Sequence, residues 1–346
     1  MSPLCKDHNH TYTEYLLELL RSEERMPPAM RIRINERSKA FLEAVTPDAE
    51  RFLRDELDFN KHTNEEVRTL IQSIPNALLV KNYDGMYPIQ SITWDYSEDG
   101  FNAKAIPFLP LLAEEGAKLN VGGDGMRGGI LIKYFNDSEC DCILEELFSV
   151  HQCEDNYSDE NKRKHIETIC LNAITSLQNK GLFQKEDIKR YNLVSKSCHP
   201  SSIDRFKYAV ELNPEALTLR RTDGDWTFLL LHDVIQEEND IEVFQLALKA
   251  GLEHFPHQLG FLFQKGDNGI GTTLFQEACK LYGKLETWRL VEKCFDEMDD
   301  KEAVFERNPC MAISKATDTL ELDLLYYLLV HHPVILERTT TWVSSE

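Results

Sequence analysis

Four residues with metal-binding side chains lie close together near the middle of the chain, as Cys140-Asp-Cys142 and His151-Gln-Cys153. Thiolate and imidazole are ligands that zinc binds tetrahedrally, so the set is a candidate zinc site. The Cys-x-Cys and His-x-Cys spacings differ from the usual Cys-x₂-Cys knuckles. In addition, the apolar pattern of Ile143–Val150 predicts a helix that would hold the two pairs apart. We interpret the cysteines as buried or half-exposed thiols and expect no metal site.

A second candidate is Gly123-Asp-Gly125-Met-Arg-Gly128, which matches the glycine spacing of a dinucleotide-binding loop, with Glu145 at the distance expected for a ribose contact. That loop needs a strand before it and a tightly packed helix after it. The preceding segment, Phe108–Glu115, has a helical pattern instead. No Lys-Ser or Lys-Thr follows the glycines of 122–129, which excludes a Walker loop. We expect no cofactor and no catalytic residue, and a zinc- or nucleotide-dependent enzyme centred on 122–153 remains the alternative.

The composition limits the partners. The 346 residues include 59 acidic and 38 basic side chains, which gives a net charge of −21 and a pI near 5.0. This charge repels nucleic acid and favours basic or neutral partners. The nine scattered cysteines are typical of a reducing compartment, and no segment has the length and hydropathy of a membrane span. We therefore expect an intracellular protein, cytoplasmic or nuclear, that binds neither nucleic acid nor a membrane.

The elements that must position any site are indicated by a phrase that occurs twice. Pro75-Asn-Ala-Leu78 is followed by Asp84-Gly85, and Pro214-Glu-Ala-Leu217 is followed at the same spacing by Asp223-Gly224. A phrase that recurs with its own turn residues indicates a chain built from copies of a small unit. Repeat proteins of this kind mostly bind other molecules.

The first copy predicts a helix, a turn and a second helix. Helix Glu65–Ser73 should stop at Pro75, and residues Leu78–Lys81 should be extended. Gly85 is expected to supply a positive φ in the turn, and Pro88 to open the next helix, because the first helical turn needs no N–H donor.

The second copy aligns Phe206–Leu212 with the first helix and places Trp226-Thr227 where the first copy has Tyr87-Pro88. A third turn is predicted at Asp267-Asn-Gly269. The helix that follows Gly283 should bury one face, formed by Leu285, Trp288, Val291 and Phe295.

These patterns predict five segments. They are an N-terminal tail with a short helix (1–37), a first group of repeats (38–150), an acidic loop (151–163), further helical repeats (164–338) and a C-terminal tail (339–346).

At this point the chain resembles ankyrin repeats. Gly271-Thr-Thr-Leu-Phe-Gln-Glu-Ala278, Gly283-Lys-Leu-Glu286 and Gly116-Ala-Lys-Leu-Asn120 match three phrases of that family. Gln90 and Gln276 stand where the family has histidine, and the units are longer than usual. The chain is most similar to the degenerate ankyrin-like arrays of diatom-type algae. The resemblance implies an all-α, elongated helical solenoid with short turns between helix pairs, and a binding function without established chemistry.

We therefore predict a non-catalytic scaffold for protein–protein interaction, with a purely structural or decayed repeat protein as a further alternative. Rigid repeats present contacts on their loop tips, and Tyr, Trp and Arg are frequent anchors of interfaces. Inward packing of Tyr87 and Trp226 is the competing interpretation for those two residues. The candidate protein-binding residues are Tyr83, Tyr87, Arg220, Arg221, Trp226 and Lys265.

Overall fold

The computed structural model of the protein describes residues 46–95, 100–134, 142–149, 160–223, 226–229, 241–262 and 273–297. This part of the chain is mostly helical, as the sequence predicts. The chain divides into two compact units, residues 1–184 and 185–346. The predicted tails 1–37 and 339–346, and the turn Asp267-Asn-Gly269, lie outside the described residues.

Unit 1, residues 1–184, contains helices joined by tight turns. Its described elements in order are α1 (46–51), a π-helical turn (Phe52–Glu56), α2 (Asn64–Ser73), a 3₁₀ turn (Pro75–Leu79), α3 (Pro88–Ser91), β1 (Trp94–Asp95), β2 (Gly100–Phe101), a 3₁₀ turn (Ile106–Phe108), α4 (Leu109–Lys118), a 3₁₀ turn (Arg127–Gly129), α5 (Ile143–Phe148) and α6 (Glu160–Asn179). Helix α6 begins inside the segment that the sequence predicts as an acidic loop.

Unit 2, residues 185–346, also contains helices joined by 3₁₀ turns, with a short hairpin between them. Its described elements are α7 (Lys185–Arg190), α8 (Leu193–Lys196), a 3₁₀ turn (Pro200–Ser202), α9 (Ile203–Leu212), a 3₁₀ turn (Pro214–Thr218), β3 (Arg220–Asp223), β4 (Trp226–Leu229), α10 (Ile241–His254), a 3₁₀ turn (Pro256–Phe261), α11 (Leu274–Tyr282) and α12 (Lys284–Asp296).

Helix α2 is specified locally at both ends. The backbone N–H of Glu66 donates to the Thr63 hydroxyl, 3.2 Å away, and the Glu66 carboxylate accepts from the Thr63 N–H at 3.0 Å. This reciprocal capping satisfies two backbone donors that the first helical turn leaves without partners. Pro75 prevents the helix from continuing. The apolar side of α2 is buried and packs against α4.

The segment after α2 differs from the prediction. Leu78 was expected to be extended, but Pro75–Leu79 forms a 3₁₀ turn in which the N–H of Ala77 donates to the carbonyl of Ile74 over 3.0 Å. Extended backbone begins only at Val80. The turn buries both Ala77 and Leu78, and this burial outweighs the weak local preference of the sequence for a strand.

Two short antiparallel hairpins, β1–β2 and β3–β4, add strands that the sequence analysis does not predict. The alignment of Trp226 with Tyr87 as the start of a helix is wrong, because Trp226 opens strand β4 and pairs with Asp223. The reason lies in the next residue. Pro88 starts α3 in unit 1, whereas Thr227 stands at that position and belongs to a run of aromatic and β-branched residues that favours a strand.

Helices α11 and α12 form a hairpin whose joint, Gly283, has φ 87°, in the region that favours glycine. The predicted buried face of α12 is wrong at Leu285, which lies in the first turn and is 64% exposed. Trp288 is half-buried, with its ring centroid 6.1 Å from that of Phe275. The residues that α12 buries are Thr287, Val291, Cys294 and Phe295.

Among the helices of the described residues, none has both the length and the apolar character needed to cross a bilayer.

Candidate interaction surface

The turn that follows Leu79 holds Tyr83 out in solvent, where 92% of its surface is exposed. Asn82 organises the turn, because its side-chain oxygen accepts the N–H groups of Asp84 at 3.0 Å and Met86 at 2.9 Å. Gly85 has the expected positive φ, 76°, and its N–H donates to the Asn82 carbonyl. The backbone that carries Tyr83 is therefore fixed by several hydrogen bonds, while the ring itself is free to contact a partner.

Tyr87 lies at the end of the same turn and is half-buried. The ammonium group of Lys81 lies 4.8 Å from the centre of its ring, within the range of a cation–π contact. Tyr87 is therefore neither fully buried nor fully exposed, and its role in binding stays a prediction.

Gln90, one of the two glutamines that differ from the histidine of the ankyrin pattern, caps helix α3. Its side-chain oxygen accepts the N–H of Tyr87 at 3.0 Å, and its amide nitrogen donates to the carbonyl of Lys133 at 3.4 Å. Gln276 caps α11 in the same way, by accepting the N–H of Thr273 at 3.1 Å. Each glutamine thus closes the start of a helix.

The candidates of unit 2 lie on the β3–β4 hairpin, and the expectation that Arg220 and Arg221 lie at a loop tip is wrong, because both belong to strand β3. Arg220 pairs with Leu229, Arg221 with Phe228, and Trp226 begins the return strand. The hairpin therefore brings Arg221 and Trp226 onto one small element, as the turn of unit 1 does for Tyr83 and Tyr87. Lys265 lies outside the described residues.

The glycine segment that matches a dinucleotide loop follows helix α4 rather than a strand. A dinucleotide is bound at the N-terminus of a helix, whereas this loop leaves the C-terminus of α4, the end that repels anions. Gly128 has φ 73°, and a Cβ on it would lie 1.9 Å from the carbonyl oxygen of Ala113. The loop therefore packs so closely against α4 that only glycine fits at position 128.

Cys142, the member of the candidate zinc set that the structure describes, caps helix α5. Its sulfur accepts the N–H of Glu145, and its own N–H donates to the Glu145 carboxylate at 2.9 Å. Burial raises the pKa of the Cys142 thiol to about 12, which disfavours the thiolate that zinc requires. Cys140, His151 and Cys153 lie outside the described residues. Within those residues, no group of three or more His, Cys, Asp and Glu side chains is placed to hold a metal.

A network of charged groups in unit 1 was not predicted from the sequence. The Arg68 guanidinium lies 2.7 Å from the carboxylate of Glu115 and 3.3 Å from that of Glu114. Lys118 reaches Glu115 at 2.9 Å, and Lys180 pairs with Glu114. The network joins α2, α4 and the end of α6. The local signals for it were the helical spacings of Lys118 from Glu114 and from Glu115.

The network makes the stability of the protein sensitive to acid. Hydrogen bonds from Lys180 and then Arg68 lower the pKa of Glu114 from its usual 4.5 to about 2. A carboxylate with a lowered folded-state pKa stabilises the fold fully above the unfolded-state pKa, and this contribution is lost as the pH falls through the folded-state value. We expect Glu114→Gln to lower the urea midpoint most above pH 4.5, with the difference from wild type closing towards pH 2. A difference that stays constant over that range would contradict this role for Glu114.

Comparisons of the chain with protein-family models, with curated proteins and with solved structures found no match.

Proposed function

We propose that this chain is a non-catalytic scaffold for protein–protein interaction, built from degenerate ankyrin-like repeats arranged as an elongated helical solenoid. The observation that carries the proposal is the Tyr83 turn. An aromatic ring is exposed there on a backbone held by hydrogen bonds from Asn82. A rigid, exposed aromatic residue gives a partner a large contact area at a low cost in conformational entropy.

Each unit presents its own candidate partner surface. In unit 1 it is the turn that carries Tyr83 and Tyr87, and in unit 2 it is the β3–β4 hairpin that carries Arg220, Arg221 and Trp226, with Lys265 as a further candidate. The net charge of −21 favours a basic or neutral protein partner over nucleic acid. The buried cysteines, such as Cys170 and Cys294, act as small core residues, as in a cytoplasmic or nuclear protein.

The proposal is tested by affinity capture from the native cell, with mass spectrometry as the readout. Three baits are compared with wild type: Tyr83→Ala, Arg221→Glu, and the control Leu285→Ala, which removes an exposed apolar side chain that lies on a helix surface. Loss of an interface anchor costs about 2 kcal/mol or more, a loss of affinity of about 30-fold. We therefore expect specific partners to be lost with Tyr83→Ala or Arg221→Glu and retained with Leu285→Ala.

Two other results would contradict the proposal. Retention of every partner by both Tyr83→Ala and Arg221→Glu would favour a purely structural or decayed repeat protein. Stoichiometric zinc or nucleotide in the purified chain would favour the enzyme centred on 122–153.

A further inference from the structure

Helices α2 and α9 end in the same way. The residue after each helix, Ile74 or Asn213, has φ and ψ outside the helical region, −131° and 64° in one case and −145° and 78° in the other. Each donates its N–H to the carbonyl four residues earlier, that of Leu70 or Ala209. The two helices therefore end with the same backbone geometry, in different units of the protein.

The turns that follow these helices also match. Pro75–Leu79 and Pro214–Thr218 are 3₁₀ turns of 5 residues each. In both, the alanine at the third position, Ala77 or Ala216, is buried and donates its N–H to the carbonyl of the residue before the proline, at 3.0 Å. We call this combination of helix and 3₁₀ turn the proline-type connection.

A different connection follows α4 and α10. Gly116 in α4 lies against Gly128 in the next turn, where a Cβ on Gly116 would be 2.5 Å from the Gly128 carbonyl oxygen. Gly251 in α10 lies against Gly260 in the same way, and a Cβ on Gly251 would be 2.8 Å from the Gly260 carbonyl oxygen. Both turn glycines have positive φ, 73° at Gly128 and 59° at Gly260.

The turn glycine of each pair also lies close to the helix backbone, although only Gly128 has a contact as short as the 1.9 Å between its added Cβ and the carbonyl oxygen of Ala113. A Cβ on Gly128 would lie 2.8 Å from the backbone nitrogen of Ala117, and a Cβ on Gly260 would lie 2.9 Å from that of Leu252. Ala117 and Leu252 each follow the helix glycine directly. In both pairs the backbones approach too closely for a side chain on either glycine. We call this combination the glycine-type connection.

The chain then joins the next helix by equivalent hydrogen bonds. The residue two positions after the turn glycine, Ile130 or Leu262, accepts at its carbonyl an N–H from the second residue of the next helix. The donors are Leu144 at 3.4 Å in unit 1 and Phe275 at 3.0 Å in unit 2.

The caps of those next helices match as well. Cys142 precedes α5 and exchanges hydrogen bonds with Glu145, and Thr273 precedes α11 and exchanges hydrogen bonds with Gln276. Both cap residues are fully buried.

From this agreement we infer that the two units carry one module each, produced by duplication of a single ancestral segment. In each unit the proline-type connection comes first and the glycine-type connection second, followed by the capped helix. A simple array of identical short repeats would give every helix the same connection, so the alternation in a fixed order indicates a longer repeating unit. Within this module Pro75 corresponds to Pro214, Gly128 to Gly260 and Cys142 to Thr273.

The correspondence assigns Cys142 the role of a helix cap, the role that Thr273 has in unit 2. The test exchanges the caps of the two modules in the full-length chain and measures the urea midpoint. If the modules are equivalent, Cys142→Thr keeps or raises the midpoint, because the threonine hydroxyl is accepted at this position in the other copy and is a better hydrogen-bond acceptor than sulfur. The matched control is Cys142→Val, which has the shape of threonine without the hydroxyl and should lower the midpoint.

The reciprocal pair keeps the test decisive if unit 1 tolerates no change at all. Thr273→Cys should leave unit 2 more stable than Thr273→Val does, because the sulfur still accepts the N–H of Gln276. The inference is overturned if Cys142→Thr lowers the urea midpoint as much as Cys142→Val does. It is also overturned if Thr273→Cys lowers the midpoint as much as Thr273→Val does. Either result would mean that the two positions do not share one cap geometry.

Discussion

Gly128→Ala is expected to lower the free energy of unfolding by about 4 kcal/mol or more, which is at the upper end for a single substitution. A Cβ at this position would lie 1.9 Å from the carbonyl oxygen of Ala113 and 2.8 Å from the nitrogen of Ala117. Both atoms belong to the backbone of α4, so no side-chain rotation can relieve the overlap. Either the 3₁₀ turn must leave the helix or α4 must distort, and each loses buried contacts of unit 1.

The matched control is Gly125→Ala in the same loop. Gly125 has φ 79°, close to the 73° of Gly128, but no heavy atom lies within 4 Å of a Cβ built on it. Its substitution should cost only the strain of a left-handed backbone, about 1–2 kcal/mol. Urea unfolding followed by circular dichroism measures both variants. If the two lose the same free energy, backbone strain alone accounts for Gly128 and the contact with α4 contributes nothing.

The elements that could be predicted from the sequence are those set by local chemistry. Helix α2 ends before Pro75, α3 begins at Pro88, and Gly85 has a positive φ, each as expected. Proline and glycine restrict the backbone through their own covalent structure, so their effect hardly depends on the rest of the fold. The exposure expected for Tyr83 is confirmed for the same reason, since it lies at the tip of a turn with its own hydrogen bonds.

The errors concern elements that depend on distant contacts. Leu78 forms part of a 3₁₀ turn because that turn buries its side chain, and Trp226 starts a strand because β3 is available to pair with it. Leu285 fits the helical period of α12 but is exposed, because periodicity gives the faces of a helix and not which face has a neighbour.

The glycine pairs and the charged network could not be predicted for a related reason. Gly116 and Gly128 are close in sequence, but only the folded loop shows that their backbones touch. Arg68 meets Glu115 across 47 positions of the chain. In a protein with 59 acidic side chains, no local pattern identifies which carboxylates are buried beside a cation.

Arg68→Met is expected to lower the free energy of unfolding by about 2–3 kcal/mol. The substitution keeps most of the aliphatic stem and removes the guanidinium that lies 2.7 Å from the carboxylate of Glu115. Glu115 is only 5% exposed, so water cannot replace the lost hydrogen bond. The ammonium group of Lys118 remains 2.9 Å from the carboxylate of Glu115 and still neutralises part of its charge. The loss of free energy is therefore smaller than that caused by a fully unpaired buried charge. Chemical denaturation at neutral pH gives the measurement.

The pair formed by Glu160 and Lys164 is the control, because its 2.6 Å distance is even shorter while its side chains are 69% and 74% exposed. Lys164→Met should change the free energy of unfolding by no more than about 0.5 kcal/mol, since solvent screens the pair and replaces its hydrogen bonds. Burial rather than distance therefore determines the difference between the two variants. A double variant, Arg68→Met with Glu115→Gln, tests whether the loss of stability comes from the unpaired charge of Glu115. It should recover part of the loss, because the carboxylate that needed a partner is gone. If the double variant is as unstable as the sum of the two single variants, the loss does not come from the charge of Glu115, and the contact of Arg68 with Glu114 accounts for it.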